Sequence, residues 1–219
     1  MSIQIMTTTK ACLFDLDGVI VDTAVYHFQA WRRLANELGF DFTEHQNEQL
    51  KGISRMESLD LILKWGNVIL AEEEKIDWAT RKNAWYLELV MQMTPSEVLS
   101  GVPAFLKQLR ANDIKIALGS ASKNSRLILE KINMLAYFDA IIDGNNITKG
   151  KPDPQVFLLA AEAVNCKPAD CVVFEDAIAG VQAGKAGGMK VIGVGDESTL
   201  HEADFVIKGF DEMTIDRLF

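Results

Sequence analysis

The chain has 219 residues, 48% of them hydrophobic and 24% charged, which excludes a disordered or collagen-like chain and fits one large domain or a domain with a smaller one inserted. Asp and Glu outnumber Lys and Arg by 31 to 22, a formal net charge of -9, so no long-range attraction to nucleic acid or to an anionic membrane is expected. An anionic substrate must then be met locally, by a metal ion or a few placed cations. The cysteines Cys12, Cys166 and Cys171 form no Cys-x-x-Cys pair and suit a reducing compartment; with no apolar run of signal or membrane-spanning length, the expected location is the cytoplasm.

The first buried-type run, 11–14, predicts a strand. Directly after it, Asp15-Leu16-Asp17-Gly18 sets two carboxylates where the chain leaves the sheet. The tetrapeptide reads either as part of a site for a hard divalent cation such as Mg2+, which favours oxygen ligands, or as a turn with an Asx cap. From about residue 22 to 96 helical periodicity runs without a strand signal: Phe28, Trp31, Ala35 and Leu38 make one stripe, 53–65 a second helix and 72–91 a third, long and charged. That interval exceeds any crossover between strands, so residues 21–95 are expected to form an inserted helical cap on a core of 1–20 and 96–219. Hinges are expected near 17–23 and 94–101, where Pro95 and Pro103 break the pattern.

A second strand, 114–118, leads to Gly119-Ser120-Ala121-Ser122, with Lys123 and Asn124 opening a helix marked by Ile128, Ile132 and Leu135. Hydroxyls, backbone N–H groups and a lysine at a helix start can hold a phosphate, while Ser122 or Asn124 taken alone could serve as an N-cap. A third strand, 140–142, and the loop 144–148 precede Lys151, fixed between Gly150 and Pro152, where it could neutralise charge as a point cation or simply lie at the surface. A helix carrying Phe157, Ala160, Ala161 and Val164 follows. The fourth strand, 171–174, ends in Glu175-Asp176 before a helix over 177–186; this second acidic pair could complete an oxygen cage with the first or favour the helix dipole. Strands at 191–194 and, more weakly, 205–207 complete the alternation, which argues for a mostly parallel α/β sheet covered on both faces. Ligands in such sheets bind beyond the carboxyl ends of the strands. Nucleotide binding is disfavoured: Gly193-Val194-Gly195 lacks the third glycine of the dinucleotide fingerprint, and 180–185 falls one residue short of a P-loop.

Taken in order, Asp-x-Asp-Gly after strand one, Ser after strand two, Lys-Pro after strand three and Glu-Asp after strand four resemble the four motifs of the haloacid dehalogenase-like superfamily over the whole chain. The resemblance implies a Rossmann-like, doubly wound, mostly parallel sheet with an inserted α-helical cap, a Mg2+ cofactor and an aspartyl-phosphate. By that resemblance Asp15 would be the nucleophile and Asp17 the general acid and base, while Asp15, the Asp17 carbonyl, Asp176 and, directly or through water, Glu175 would hold Mg2+. Lys151, Ser120 and the backbone N–H of Ala121 would stabilise the transferring group. Superfamily members that transfer phosphoryl groups have the residue at Asp17, and those that cleave carbon–halogen bonds lack it.

In the cap, Thr23, 27–31, 49–55, Ser58 and Arg81-Lys82-Asn83 look like the β-phosphoglucomutases. This closer resemblance implies a phosphosugar substrate contacted by Thr23, His27, Gly52, Arg55, Ser58 and Lys82, with Arg55 gripping the distal phosphate and Ser122, Lys123 and Asn124 supporting it. His27 and Lys82 would link substrate contact to Asp17. On the residues alone, His27 could equally be a helix-surface histidine and Arg55 a solvated helix start. The implied reaction interconverts β-D-glucose 1-phosphate and glucose 6-phosphate through β-glucose 1,6-bisphosphate, with a sugar-phosphate phosphatase as the alternative and a monomer as the default. Two departures stand out: Gly119 where a small alanine is expected, which could loosen the loop carrying Ser120, and a slightly long N-terminus before the first strand.

Overall fold

The computed structural model describes residues 9–218, so the long N-terminal stretch and the last residue of the expected core lie outside the described residues. Among the described residues, β1 (Ala11–Phe14), β2 (Lys115–Gly119), β3 (Ala140–Ile142), β4 (Cys171–Glu175), β5 (Lys190–Val194) and β6 (Phe205–Ile207) form one sheet in the order β3-β2-β1-β4-β5-β6. Every pairing is parallel. The sequence of these strands explains their burial on both faces. Alternation sends Cys12, Phe14, Ile116, Leu118, Val172 and Phe174 to one side and Ala11, Leu13, Ala117, Cys171, Val173 and Val191 to the other.

Each face is then covered. The first packs against α5 (Val102–Ala111) and α6 (Ser125–Lys131), with the rings of Phe14, Phe105, Phe174 and Phe210 in mutual contact. The second packs against α7 (Gln155–Ala163) and α8 (Ile178–Ala186). One local expectation needs correction. The helix marked by Ile128, Ile132 and Leu135 ends at Lys131, because Asn133 adopts φ 57° and breaks the repeat; Leu135 belongs to a separate single turn. Lys123 and Asn124 stand at the start of that helix as expected, Asn124 at its N-cap position without a side-chain capping bond and Ser125 as its first residue.

Gly119 closes β2 instead of loosening the loop. It pairs with Ile142, and a Cβ there would stand 2.8 Å from the ring of Phe157, so the missing methyl is the space that the phenyl ring fills. Ser120 follows with its N–H on the Ile142 carbonyl at 3.1 Å.

Between β1 and α5 the chain forms α1 (Ala24–Glu37), α2 (Glu44–Glu48), α3 (Arg55–Trp65) and α4 (Glu72–Val90). Capping boxes start two of them, Thr43 with Gln46 and Ser54 with Glu57, which places the start of α3 two residues later than its apolar pattern suggests. This insertion buries a cluster of its own, including Trp31, Leu34, Phe42, Leu59 and Ile62. The two connecting strands of chain touch where Val21 bridges Val98 and the Leu99 N–H meets the Ile20 carbonyl at 3.0 Å.

Candidate active site

Strand order decides where side chains from distant parts of the sequence can meet. β1 lies between β2 and β4, so the chain reverses its direction of winding at the β1–β4 pair, the point where open α/β sheets leave a crevice. Phe14 pairs with Phe174, their rings stacked at 4.8 Å, and the Asp15 N–H bonds the Phe174 carbonyl at 3.0 Å. The two acidic pairs therefore leave the sheet side by side. Gly18, at φ 75°, lets the first turn close against the second pair: a Cβ on it would overlap the Asp176 carboxylate. Gly180 does the same for Glu175, whose carboxylate occupies the space a side chain would need on α8.

Lys151 comes up between the two strand ends, its side chain fully buried. Its ammonium donates to Asp15 Oδ1 at 2.5 Å and to Glu175 Oε1, and lies 4.8 Å above the Phe157 ring. Burial opposes that charge, but Asp15 and Glu175 outweigh it and hold Lys151 above the ordinary lysine range. Asp15 Oδ2 accepts the Asp17 N–H at 3.0 Å, and Glu175 Oε2 accepts the Ala177 N–H at 3.0 Å. Both Glu175 oxygens are thus engaged by the protein. Burial pushes Glu175 up to about 7 against the pull of Lys151, and burial followed by repulsion from Glu175 and Asp15 holds Asp176 well above the carboxylate range. Asp17 is raised to about 7 by burial and then by Asp15, while its hydrogen bond from Thr23 acts the other way.

The buried Lys151 ammonium pairs with Asp15 and Glu175 but not with Asp17 or Asp176, whose raised values reflect burial and mutual repulsion that a further cation would relieve. Asp15 and Asp176, with the Asp17 main-chain carbonyl, are hard oxygen donors that suit Mg2+, an ion that takes one or two carboxylates and keeps several waters. Among the described residues no group of three or more His, Cys, Asp or Glu side chains forms a metal cluster, and such a two-carboxylate site does not require one.

A cleft of about 1650 Å3 opens above these groups, with Asp15, Asp17, Asp176 and the segment Ser120, Ala121, Ser122, Lys123 and Asn124 on the sheet side. The segment is built from nested turns: Ser120 Oγ accepts the Ser122 N–H at 3.2 Å and Ser122 Oγ the Asn124 N–H at 3.3 Å. Lys123 is exposed at the rim, and its carbonyl accepts from Asn145 at 3.1 Å. Lys151, Glu175 and Thr23 lie beneath the cleft wall, all buried.

The opposite wall is the helical insertion, which supplies His27, Gly52, Arg55, Ser58 and Lys82. Lys82 Nζ donates to His27 Nδ1 at 2.8 Å and sits over Trp31 and Tyr86 at 4.2 and 4.9 Å from their ring centres. Burial, then the facing Arg55, pulls Lys82 well down; burial, then Lys82, does the same to His27, which is half-buried and held by Lys82 at the cleft. Tyr86 donates to Thr23 Oγ1 at 3.2 Å and Thr23 in turn to Asp17, a route from insertion to Asp17 that the sequence reading missed. Its signal was available: Tyr86 lies four residues after Lys82 on α4 and shares its face. Lys51, also unassigned from sequence, reaches Asp176 at 3.5 Å across the cleft. Gly52, at φ 77°, brings the insertion backbone against α8: a Cβ there would meet that of Ala177 at 3.2 Å.

The sequence and the fold both have clear relatives. The haloacid dehalogenase-like hydrolase family matches residues 9–188. The chain belongs to that family. The β-phosphoglucomutase of Bacillus subtilis (strain 168) is 43% identical over 211 residues, covering 95% of this chain and 93% of that protein. A crystal structure of a β-phosphoglucomutase from Clostridium difficile superposes with a TM-score of 0.93 at 41% identity, over 96% of each chain. A phosphorylated carbohydrates phosphatase of Thermotoga maritima is 32% identical, covering 84% of this chain and 83% of that protein. The family and its Rossmann-like α/β core with an intervening helical segment agree with what the four motifs imply.

Proposed function

We propose that this chain is a β-phosphoglucomutase, interconverting β-D-glucose 1-phosphate and glucose 6-phosphate through β-glucose 1,6-bisphosphate in a Mg2+-dependent reaction. The observation that carries this reading is a cleft with phosphate-binding groups at each end: Ser120, above the buried Lys151, beside the Asp15 carboxylate at the sheet, and Arg55 facing Asn124 across the mouth. A mutase needs both, because its substrate presents a phosphoryl group to the nucleophile from either end. The resemblance to the Bacillus subtilis and Clostridium difficile mutases supports the same sugar.

Asp15 attacks phosphorus, the bond from phosphorus to the sugar oxygen breaks, and Asp17 protonates the departing oxygen; on return Asp17 takes the proton from the attacking hydroxyl. Lys151, Ser120 and the Ala121 N–H stabilise the equatorial oxygens, where charge is spread in the transition state. Asp15, the Asp17 carbonyl and Asp176 would hold Mg2+, whose charge would offset repulsion between the Asp15 carboxylate and the phosphoryl group. Glu175, whose oxygens each accept one hydrogen bond, from Lys151 and from Ala177, fixes Lys151 directly and would help to hold the ion either directly or through water. Residues 21–95 act as a cap on a core of 1–20 and 96–219; with the cap shut, water is excluded and the phosphoryl group returns to sugar. Thr23, Gly52, Ser58, His27 and Lys82 complete the sugar site. The reading carries with it a monomer of the cytoplasm, and no helix among the described residues is long and apolar enough to cross a membrane.

The phosphatase of Thermotoga maritima supports a second reading in which water takes the phosphoryl group. Phosphorus NMR of β-glucose 1-phosphate incubated with the protein, Mg2+ and a trace of glucose 1,6-bisphosphate separates the two. Glucose 6-phosphate is the expected product; accumulation of inorganic phosphate instead would replace the mutase with the phosphatase.

A further inference from the structure

Asn83 follows Lys82 on α4 and lines the same cleft, yet the reading above gives it no task. Its amide oxygen accepts two hydrogen bonds at once, from Arg55 Nη2 at 2.8 Å within the insertion and from Asn124 Nδ2 at 2.9 Å in the segment after β2. A guanidinium only donates, so the atom of Asn83 facing Arg55 is the oxygen. That assignment fixes the second amide too: Asn124 must present its nitrogen, and its own oxygen turns elsewhere. The Asn83 nitrogen donates to no acceptor among the described residues.

We propose that Asn83 is a positioning residue that couples closure of the cleft to the grip on the distal phosphate, by holding Arg55 and Asn124 on one oxygen. With the two walls apart, Asn83 loses Asn124 and half of what fixes the guanidinium. With the walls together, the Arg55 fork and the Asn124 amide are set in one geometry, and the Asn83 amide nitrogen supplies further donors beside them. Neutrality is part of the design. A carboxylate in this place would accept the same two hydrogen bonds but would cancel the charge of Arg55 and repel a phosphate; an amide orients the guanidinium and leaves its full charge for the ligand. Lys82 and Asn83, adjacent on α4, then take different partners, Lys82 holding His27 and Asn83 holding Arg55 and Asn124.

The proposal rests on the phosphosugar reading but is tested by binding, so the two can fail separately. Calorimetric titration of the full chain with glucose 6-phosphate is to be compared for the unmodified protein, Asn83→Ala, Asn83→Asp, Asn124→Ala and the Asn83→Ala/Asn124→Ala double variant. Asn83→Ala is expected to weaken binding by about 10- to 100-fold, the change that one lost hydrogen bond to a charged group represents. The double variant should fall short of the product of the single losses by about threefold or more, because one bridge is being broken twice. Asn83→Asp should keep the unfolding midpoint and still lose affinity. In turnover, the Asn83→Ala loss should be larger for β-glucose 1-phosphate than for phosphoryl transfer from acetyl phosphate, which has no distal phosphate to grip. Multiplicative single losses, unchanged affinity in Asn83→Ala, Asn83→Asp binding as well as the unmodified protein, or equal losses with both donors would overturn it. Should Asn83→Ala fail to fold, the Asn83→Asp comparison decides. If the unmodified chain binds glucose 6-phosphate but yields only inorganic phosphate from the mutase substrates, the mutase reading fails while this coupling stands.

Discussion

Adding a methyl group at Gly119 should destabilise the protein, although glycine to alanine within a strand ordinarily gains roughly 0.5–1 kcal/mol. The new Cβ would lie 2.8 and 2.9 Å from Cδ1 and Cε1 of Phe157 and 3.7 Å from Val156 Cγ2. Unbonded carbons settle at about 3.5–4.0 Å, so the ring has to retreat by roughly 1 Å. Phe157 is 0% exposed, packed with Leu13, Ala117 and Val173, and has nowhere to go without disturbing them. Overpacking of this kind costs about 1–3 kcal/mol, which leaves a net loss of up to about 2.5 kcal/mol, centred on about 1 kcal/mol, after the strand gain. The ring is also the surface beneath the Lys151 ammonium, 4.8 Å away, so transfer of a phosphoryl group from acetyl phosphate to the protein should slow in the same variant. Urea unfolding of Gly119→Ala and of Gly119→Ala/Phe157→Leu reads the stability. The single variant should unfold at lower urea, and the smaller side chain should recover part of the difference. A Gly119→Ala protein as stable as the original, or more so, would refute the packing argument.

Lys151→Met leaves Asp15 and Glu175 buried and facing each other, a loss of about 3–5 kcal/mol in the metal-free protein. Mg2+ should then raise its unfolding temperature more than that of the original, a difference that scanning calorimetry would detect; an unchanged midpoint contradicts the buried triad. For Asp17 the folded value near 7 lies above its usual 3.8, so protonation favours the folded state: its contribution to metal-free stability is full below about pH 4 and is lost as pH rises through 7, a dependence that the difference between the original protein and Asp17→Asn isolates. The same value makes the donor form scarce above pH 7, so kcat/KM for β-glucose 1-phosphate should decline on the alkaline side. Retention of that alkaline limb in Asp17→Asn would exclude Asp17 as its source.

The sheet was legible because strands buried on both faces read as unbroken apolar runs. All six runs appear as strands, and β2 lies only one residue further along than its run suggests. What ended or began a helix through a single backbone conformation was less visible: Asn133 stops α6 by its left-handed φ, and the short α2 rests on a Thr43–Gln46 capping box that carries no apolar stripe. In the site, both acidic pairs could be located because each directly follows a strand. Spacing does not reveal partners made by packing. That Tyr86 reaches Thr23 and that Asn83 joins Arg55 to Asn124 depend on α3 and α4 meeting the chain beside β1 and β2, and that Glu175 meets Lys151 depends on the chain after β3 returning to the end of β4; no local pattern encodes either meeting. Gly119 was legible as a departure, but its cause, the ring of Phe157, lies on another helix.

The account depends most directly on the Asp15 carboxylate becoming phosphorylated. Intact-mass spectrometry after incubation with Mg2+ and acetyl phosphate should show one added phosphoryl group, labile at alkaline pH as an acyl phosphate is, and Asp15→Asn should show none. An unmodified original protein under those conditions, or the same mass gain in Asp15→Asn, would contradict it.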